Sequence, residues 1–508
     1  MLMTLFGRAT IIGKLRYYFL ERNYSLTIRV GLISLCLLLT MLSAVLFKDT
    51  QLIGTDFISG LMPTLVMAGL TAAIIAYSSM EKGLLTILVV STVLSDGLNT
   101  GTGTKVTFTF ILLYLMLGVW LFRMLVVERR IRAVPAPANK FGIAFIIVVI
   151  ISFFWSGLFV DPRVSYLFQD RLLPRLMTAM VMIISVGTYF LFASQIRSLG
   201  AMRFFVWWFI VLGAIFLLLH LSGMGIPSPL NARGQFPTWV GALALGQALF
   251  NSSLKWWHRG VLLAIVLGWF YVVLGLGISW LSGWLPLLVV TAILLLLRSR
   301  RLFAVLMIVV ALAGAANFEE LQEAFTAENE ESGGTRVEAW AEALDLTGQH
   351  FLFGTGPAGY AFYYATYGFR ANFSHNNYVD LITQTGIVGF ITFIIFWILI
   401  TAQSWRLHQI SRINFEKGDF YRTLAASLLA ANCSTLVTMM LGDWVTPFTY
   451  TQGLGGIDYT IWSWMIAGLT TASYHEVLRE TKDVSTATET TPHDISIPAG
   501  FYRIKSAS

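Results

Sequence analysis

The feature that most constrains this chain is a succession of long apolar blocks separated by short polar interruptions. Each block approaches the roughly 20 residues that an α-helix needs to cross the hydrocarbon core of a bilayer. Of the 508 residues, 56% are hydrophobic and only 12% are charged, so lipid is the expected surrounding over most of the length. A membrane β-barrel would instead show weak alternation in strands of about ten residues. We therefore predict an all-α, polytopic membrane helix bundle.

The apolar blocks predict an even number of spans, which places both termini on the same side of the membrane. The blocks at 84–95 and 302–316 are short for a crossing, and 260–297 is one run that we divide at small residues, so the predicted count is about 12–14. The predicted spans are 26–47, 57–79, 84–95, 106–127, 141–160, 174–194, 204–221, 238–254, 260–277, 283–297, 302–316, 378–400, 421–441 and 457–474.

Basic residues set the predicted orientation. The chain carries 34 lysines and arginines, and with both termini in the cytoplasm all but eight fall on the cytoplasmic side, as the positive-inside rule requires. The outward residues are Lys48, Lys105, Arg163, Arg171, Arg175, Arg233, Arg336 and Arg370. Membrane orientation thus accounts for the pI near 9.3, and nucleic acid is not an expected partner.

Three further sequence features carry no chemistry. The cysteines, Cys36 and Cys433, lie in separate apolar blocks, so neither a disulfide nor a metal site is predicted. The N-terminal segment before the first span lacks the compact apolar core of a cleavable signal peptide. The polar, Thr-rich tail 476–508 is predicted to be disordered and cytoplasmic, which leaves 1–475 as the membrane domain.

One large outward loop, residues 317–377, interrupts the apolar pattern. It begins acidic, with FEELQEAFTAENEES, and then reads TRVEAWAEALDLTGQHFLFGTGPAGYAFYYATYGFRANFSHNNYVDL into the next span. Ser332 or Thr335 is predicted to cap a helix that begins near Arg336. Spacings of three and four residues predict its apolar face, which consists of Val337, Trp340, Ala341 and Leu344.

A glycine-rich turn and an aromatic cluster follow that helix in the loop. Gly354 and Gly356, with Pro357 beside them, predict a turn, and together with Asn376 further on they are expected to shape the loop. The aromatic residues then crowd one short segment, at positions 360, 362, 363, 364 and 367. Tyrosines at this density are typical either of a membrane interface or of a wall that stacks against sugars.

His375 lies directly before the next span, where Ser374 or Asn376 could cap the helix. A histidine at the membrane surface titrates near neutral pH, which suits a general base. The alternative is an interfacial histidine satisfied by a neighbour. Arg233, in the turn-rich stretch GMGIPSPLNARGQFP, and Arg336 are at positions where arginines more often reach toward lipid headgroups than clamp an anionic ligand.

The order of these motifs resembles the core of the O-antigen ligase and polysaccharide polymerase superfamily. The resemblance rests on Arg-x-x-x-Trp, then FLFGTGPAGY, then SHNNYVDLITQTGIVGF leading straight into a span. It extends over about 230–400, and DGLNTGTGTK and FFWSGLFVDPRVSYLF also look like early segments of that family.

The resemblance implies a metal-independent, inverting glycosyl transfer on the outer face of the bacterial inner (plasma) membrane, without a cofactor. The donor would be a glycan on undecaprenyl diphosphate, and the acceptor a glycan or a lipid. Carried onto this sequence, the catalytic histidine is His375, the loop arginine is Arg336 and an earlier outward arginine is Arg233. His375 would take the proton of the acceptor hydroxyl, and the arginines would neutralise the departing diphosphate.

The chain departs from the family at one position. Many members carry a Ser-Arg-Gly type sequence near the tenth span, where this chain reads GISWLSGWLP without an arginine. Arg171 or Arg175 is the expected substitute cation, unless this branch works with fewer.

Three classes of function compete at this stage. A polymerase or ligase of lipid-linked glycans is favoured, with polymerase ahead because nothing in the sequence identifies a lipid acceptor. A transporter or flippase of lipid-linked glycans is the alternative, but it would typically show repeated halves and ionisable groups at mid-membrane. A purely structural assembly subunit would lack the convergent set of arginines and histidine.

Overall fold

The computed structural model describes residues 79–94, 97–99, 105–130, 133–167, 172–224, 235–275, 281–320, 322–323, 326, 336–367, 374–416 and 418–489. The predicted span 26–47, nearly all of 57–79, and the arginines Arg171 and Arg233 lie outside the described residues. The chain divides into two compact units, Met1–Arg132 and Ala133–Ser508, and each is described by itself.

The described part of the first unit has two helices joined by a small hairpin. Helix α1 is Met80–Val93 and α2 is Phe108–Phe122, and the antiparallel strands β1, Gly97–Asn99, and β2, Lys105–Thr107, lie between them. Each helix begins at a hydroxyl side chain that accepts a backbone N–H: Ser79 caps α1 and Thr107 caps α2.

The second unit is built from helices throughout its described part. In chain order they are α3 Pro137–Leu158, α4 Pro162–Leu167, α5 Leu172–Gln195, α6 Leu199–Leu221, α7 Phe236–Phe250, α8 Trp256–Gly275, α9 Leu281–Arg298, α10 Arg300–Ala316, α11 Arg336–Gln349, α12 Gly359–Tyr367, α13 Asn377–Asn414, α14 Phe420–Leu441, α15 Thr449–Gln452 and α16 Ile457–Glu489.

Every predicted span from 84–95 onward coincides with one of these helices. In the described part of the chain, eight helices are long and apolar enough to cross a membrane, and α7 is a shorter apolar helix. The predicted class, an all-α polytopic membrane protein, is therefore confirmed. The hydrophobic blocks were sufficient for this because a helix in lipid satisfies all of its backbone polar groups internally.

The centre of the second unit is formed by α13, which packs against α3, α14 and α16. Its aromatic side chains meet those of α16, with the ring centroids of Trp397 and Trp464 5.1 Å apart. Small residues bring other helices close together: a Cβ added to Gly246 of α7 would lie 1.9 Å from the Ser427 hydroxyl of α14. Because lipid offers no hydrophobic drive between helices, such close packing supplies much of their association.

Helix α13 is broken at Gly386, whose φ of 67° and ψ of −174° are not helical. The break divides α13 into a short outer part that begins at Asn377 and a long part that ends at Asn414. A break at membrane depth leaves backbone groups without their helical partners, so it is tolerated only where other protein groups satisfy them.

The last helix extends further than the sequence predicted. A disordered tail was expected from 476, but α16 continues to Glu489; residues 490–508 lie outside the described part. Local pairs support the extra turns, since Arg479 and Glu476 form a salt bridge of 2.7 Å at a spacing of three residues and the Thr481 hydroxyl bonds back to Val477. The prediction gave weight to polarity and too little to these pairs within the helix.

Candidate functional site

The glycine motifs of the loop and of α13 meet at the helix break. The Thr355 and Gly356 N–H groups donate to the carbonyls of Thr383 and Gln384, and the Ile387 N–H donates to the Phe351 carbonyl. The loop therefore satisfies the backbone groups that the break at Gly386 exposes.

Residues 351–356 of the loop cross α13 at its break, and we call this contact the glycine crossing. Glycine is needed in both of the segments that meet there. A Cβ on Gly354 would lie 2.5 Å from the Gln384 carbonyl carbon, and one on Gly386 would lie 2.3 Å from the Leu352 carbonyl carbon. Both glycines also have a positive φ, where other residues are strained. The GTG of the loop and the TGIVG of the span thus fit each other as one structure, and this confirms the predicted turn at Gly354 and Gly356.

Helix α3 contacts the glycine crossing through hydrogen bonds to both of its segments. The Ser152 hydroxyl lies 2.5 Å from the Phe353 carbonyl and 2.8 Å from the Gln384 carbonyl. Arg175 of α5, which is buried, donates to the Phe153 carbonyl and the Ser156 hydroxyl. One of the predicted additional cations is therefore at this crossing, in contact with α3.

The aromatic segment forms helix α12, and most of it is buried. Tyr360, Phe362, Tyr363 and Tyr364 belong to one apolar cluster with Phe448, whereas Tyr367 is exposed. The stacked rings of Tyr360 and Phe448, 4.6 Å apart, join α12 to the segment after α14. Tyr367 alone therefore has the exposure that a stacking wall for sugars requires.

Helix α11 is present, but its buried face differs from the prediction. Val337 and Leu344 are exposed, so the predicted apolar face is wrong. The buried residues are Ala339, Ala343, Leu346 and Thr347. Small alanines allow α11 to approach α13 closely, where the Thr347 hydroxyl lies 3.3 Å from the Thr383 hydroxyl. The buried face of α11 is therefore the one whose small residues allow close contact with another helix, and not the one with the bulkiest apolar side chains.

Arg336 is the first residue of α11 and is partly buried. One turn further on, the Trp340 indole N–H donates to the Ser374 carbonyl over 2.8 Å. The helix that carries Arg336 is thus attached to the residue directly before His375. The candidate caps of this helix, Ser332 and Thr335, lie outside the described residues.

His375 occupies the turn that leads into α13. Its φ of 46° is unusual for a residue with a side chain, and Asn376 holds this turn by capping α13, accepting the Tyr378 N–H over 3.0 Å. Of the two predicted caps, Ser374 and Asn376, the structure has Asn376. The His375 side chain is 30% exposed, so it lies at the rim of the bundle with access to solvent.

An acidic residue that the sequence did not single out lies beside the His375 ring. The His375 Nδ1 atom lies 3.7 Å from the Asp443 Oδ2 atom, and the Asp443 side chain is only 1% exposed. Asn377 fixes the segment that carries Asp443, because its side chain accepts from the Val445 N–H and donates to the Thr446 carbonyl. The sequence signal was a single acidic residue in the junction after the span 421–441.

A second buried carboxyl, Asp380, lies behind Asp443. Tyr360 and Ser374 both donate their hydroxyls to Asp380 Oδ1, and the Asp380 side chain also hydrogen bonds with Asp443. Two carboxyl groups can form a hydrogen bond only when one of them carries a proton, so we infer that the pair holds one proton between them. Burial, and then the nearby carboxyl groups of Asp380 and Asp443, raise the pKa of Tyr360 well above its ordinary value, which keeps its hydroxyl a donor.

These contacts define an arrangement suited to proton transfer. An accessible imidazole is backed by a buried carboxylate, and that carboxylate is held by a second carboxyl with hydroxyl donors. Such an arrangement can accept a proton and stabilise the resulting imidazolium. Among the described residues, no group of His, Cys, Asp and Glu has a metal-binding arrangement.

The fold and site together define the class: a multi-pass helical membrane protein with a polar, histidine-centred site at one end of a broken helix. Residues 258–394 match the family model described as O-antigen ligase, a segment that includes Arg336, the glycine crossing and His375. This match confirms the resemblance to the O-antigen ligase and polymerase superfamily. Membership of that family implies, in general, glycosyl transfer with lipid-linked glycans as substrates. No curated protein matches the chain.

Proposed function

We propose that this protein transfers a glycan from undecaprenyl diphosphate to an acceptor hydroxyl, with inversion and without a metal. The observation that carries the proposal is the pair of His375 and Asp443, 3.7 Å apart, with the histidine at the rim and the aspartate buried. Polymerisation of a cell-surface polysaccharide is preferred to ligation onto lipid, for which no acceptor site has been identified.

In the proposed reaction, the acceptor oxygen attacks the anomeric carbon and the bond from that carbon to the diphosphate oxygen breaks. The bonding electron pair leaves with the lipid diphosphate, and the proton of the acceptor hydroxyl passes to His375. Because Nδ1 faces Asp443, we assign the incoming proton to Nε2 on the other side of the ring. The buried Asp443 carboxylate then stabilises the imidazolium as its charge develops.

The diphosphate would be bound by Arg336 and Arg233, with Arg171 as a possible further cation. Support for Arg336 comes from its position at the first turn of α11, where a guanidinium adds to the positive end of the helix dipole. The same helix contacts Ser374 through Trp340. Arg175 would have to leave the Phe153 carbonyl and the Ser156 hydroxyl to reach a ligand, so we propose that it chiefly braces the glycine crossing.

The reaction would take place on the outer face of the bacterial inner membrane. This orientation rests on the excess of lysine and arginine in the opposite junctions. On that side the acceptor and the lipid-linked donor would meet at the rim where His375 is exposed.

One observation favours the alternative, a transporter of lipid-linked glycans. The buried pair of Asp380 and Asp443 resembles the ionisable groups that mark proton pathways in transporters. Their hydrogen bonds lead to a histidine at the rim and to Tyr360, a connection that suits the support of a base at least as well as proton passage.

The decisive experiment reconstitutes the purified protein in liposomes that contain an undecaprenyl-diphosphate-linked glycan. We expect elongated or transferred glycan, together with release of undecaprenyl diphosphate, in the absence of any added divalent cation. Movement of the intact donor between leaflets, with no new glycosidic bond, would replace the proposal with the transporter.

A further inference from the structure

A second polar cluster lies at the end of α13 opposite to His375. His408 is 3% exposed, and neither of its ring nitrogens has a hydrogen-bond partner. The buried Ser411 hydroxyl, one turn further along the same helix, is also without a partner. Buried polar groups are normally satisfied, so two such groups on one face indicate a missing partner.

Two arginines flank this face. Arg412 follows His408 by four residues and therefore lies on the same side of α13. Arg422 belongs to the first turn of α14, and its guanidinium lies 3.5 Å from the Phe415 carbonyl, while the Phe415 N–H bonds to the Ser411 carbonyl. Both guanidinium groups act electrostatically on His408, so the four side chains surround one corner between α13 and α14.

The positive charge of this corner has no ion-pair partner among the described residues. Within the described part of the chain, neither Arg412 nor Arg422 forms a salt bridge with a carboxylate, and the two guanidinium groups repel each other. Repelling arginines next to unpartnered imidazole and hydroxyl groups are arranged to receive an anion with several oxygen atoms.

The position of the corner indicates which anion. Trp405 is exposed one turn before His408, with the two rings 6.2 Å apart, and exposed tryptophans at the ends of spans are typical of the membrane–water interface. A phosphate at that depth would most naturally belong to a lipid headgroup.

We propose that His408, Ser411, Arg412 and Arg422 form a binding site for the phosphate of an anionic phospholipid, on the face of the membrane opposite to the glycan site. The guanidinium groups would bind the phosphate oxygens, and the Ser411 hydroxyl and one His408 ring N–H would donate to the same group. This site is separate from the proposed glycosyl transfer and does not depend on it.

The test compares lipid binding by the full chain in detergent, measured by native mass spectrometry and by thermal stabilisation. The probes are phosphatidylglycerol and a diacylglycerol with the same acyl chains, which lacks the phosphate. Arg412→Gln with Arg422→Gln should weaken phosphatidylglycerol binding by about tenfold or more. The control pair Arg298→Gln with Arg406→Gln removes the same charge from two exposed arginines outside the proposed site and should leave binding unchanged.

A further variant distinguishes a binding site from a merely structural cluster. His408→Leu removes buried nitrogens without partners, so the lipid-free protein should become more thermostable while its affinity for phosphatidylglycerol falls. Saturable stabilisation by inorganic phosphate that displaces the lipid, and that is lost in the double arginine variant, would support the pocket with a soluble phosphate as its ligand. Equal phosphatidylglycerol binding by the wild type, the double variant and the control pair would overturn the proposal.

Discussion

Removal of the Asp443 charge tests whether this buried carboxylate supports the proposed base. Asp443→Asn keeps the shape of the side chain, and its amide can donate permanently to Asp380, where two carboxyl groups now share a proton. The hydrogen bonds of Asn377 to Val445 and Thr446 are unaffected. We therefore expect thermal stability that is equal to or slightly above that of the wild type.

Turnover of the Asp443→Asn variant should fall. Two unit charges about 4 Å apart interact by about 4 kcal/mol at an effective dielectric constant near 20. The 30% exposure of His375 and the proton shared with Asp380 reduce this, and we take about 2 kcal/mol as the stabilisation that the imidazolium loses. A loss of that size slows the chemical step about 30-fold.

The assay is glycan product formed by protein in liposomes at saturating donor, with unfolding temperature measured on the same preparations. Asp345→Asn is the matched control, because this exposed aspartate on α11 contacts Gln349 and has no contact with the site. Turnover of Asp443→Asn within about twofold of wild type, with normal folding, would refute the role of Asp443. A large loss of stability would refute the argument that the amide satisfies Asp380.

Three further predictions concern the crossing, the diphosphate site and the orientation. Gly386→Ala places a Cβ 2.3 Å from the Leu352 carbonyl carbon at a positive φ, so we expect a loss of several kcal/mol and a much lower yield of folded protein; a normal unfolding temperature would contradict the close approach. Arg336→Lys keeps the charge but loses the bidentate fork, and product should fall at least tenfold at normal protein level; unchanged product would make Arg336 an interface anchor. Glu338→Cys, at an exposed position on α11, should react with a membrane-impermeant thiol reagent in intact cells, with any outer membrane permeabilised; reaction only after lysis would reverse the proposed orientation.

The helical spans could be predicted because hydrophobicity is a property of each segment by itself. The same holds for Asn376, since a helix cap depends on residues within one turn. The glycine-rich turn was likewise visible in the sequence. The contact between this turn and Gly386 could not be predicted, because a backbone contact between two distant segments does not change the sequence pattern of either segment.

The acidic residues of the site were missed for a related reason. Asp443 is the single acidic residue of a short junction, and the Asn377 hydrogen bonds help to hold that junction next to His375. Asp380 reads as an ordinary first-turn acid of α13, and its burial depends on Tyr360 and Ser374. A useful signal was available for Asp380. It lies in the first turn of a span that follows His-Asn-Asn, and a carboxylate there is costly in lipid and therefore implies partners.

The buried face of α11 illustrates the limit of periodicity. Spacing identified that a helix was present, but bulky Val337 and Leu344 were taken as the core and are exposed. The small residues Ala339 and Ala343 are buried instead, with the Ala343 carbonyl next to Thr383 of α13. Small residues can mark the packed side of a helix, because they allow a neighbouring helix to approach closely.

Replacement of His375 tests the central claim most directly. A positioned base contributes typically 10²–10⁴-fold, and because diphosphate is a good leaving group we expect a loss near 100-fold in His375→Ala. The variant should still insert, fold and bind the lipid-linked donor.

His350→Ala is the control for this measurement, since the His350 ring packs against Tyr363 at 5.2 Å and burial lowers its pKa. The measurement is glycan product per unit time from liposomes that contain equal amounts of folded wild type, His375→Ala and His350→Ala. The account predicts that only His375→Ala loses turnover. Normal product from His375→Ala, or a loss confined to His350→Ala, would contradict it.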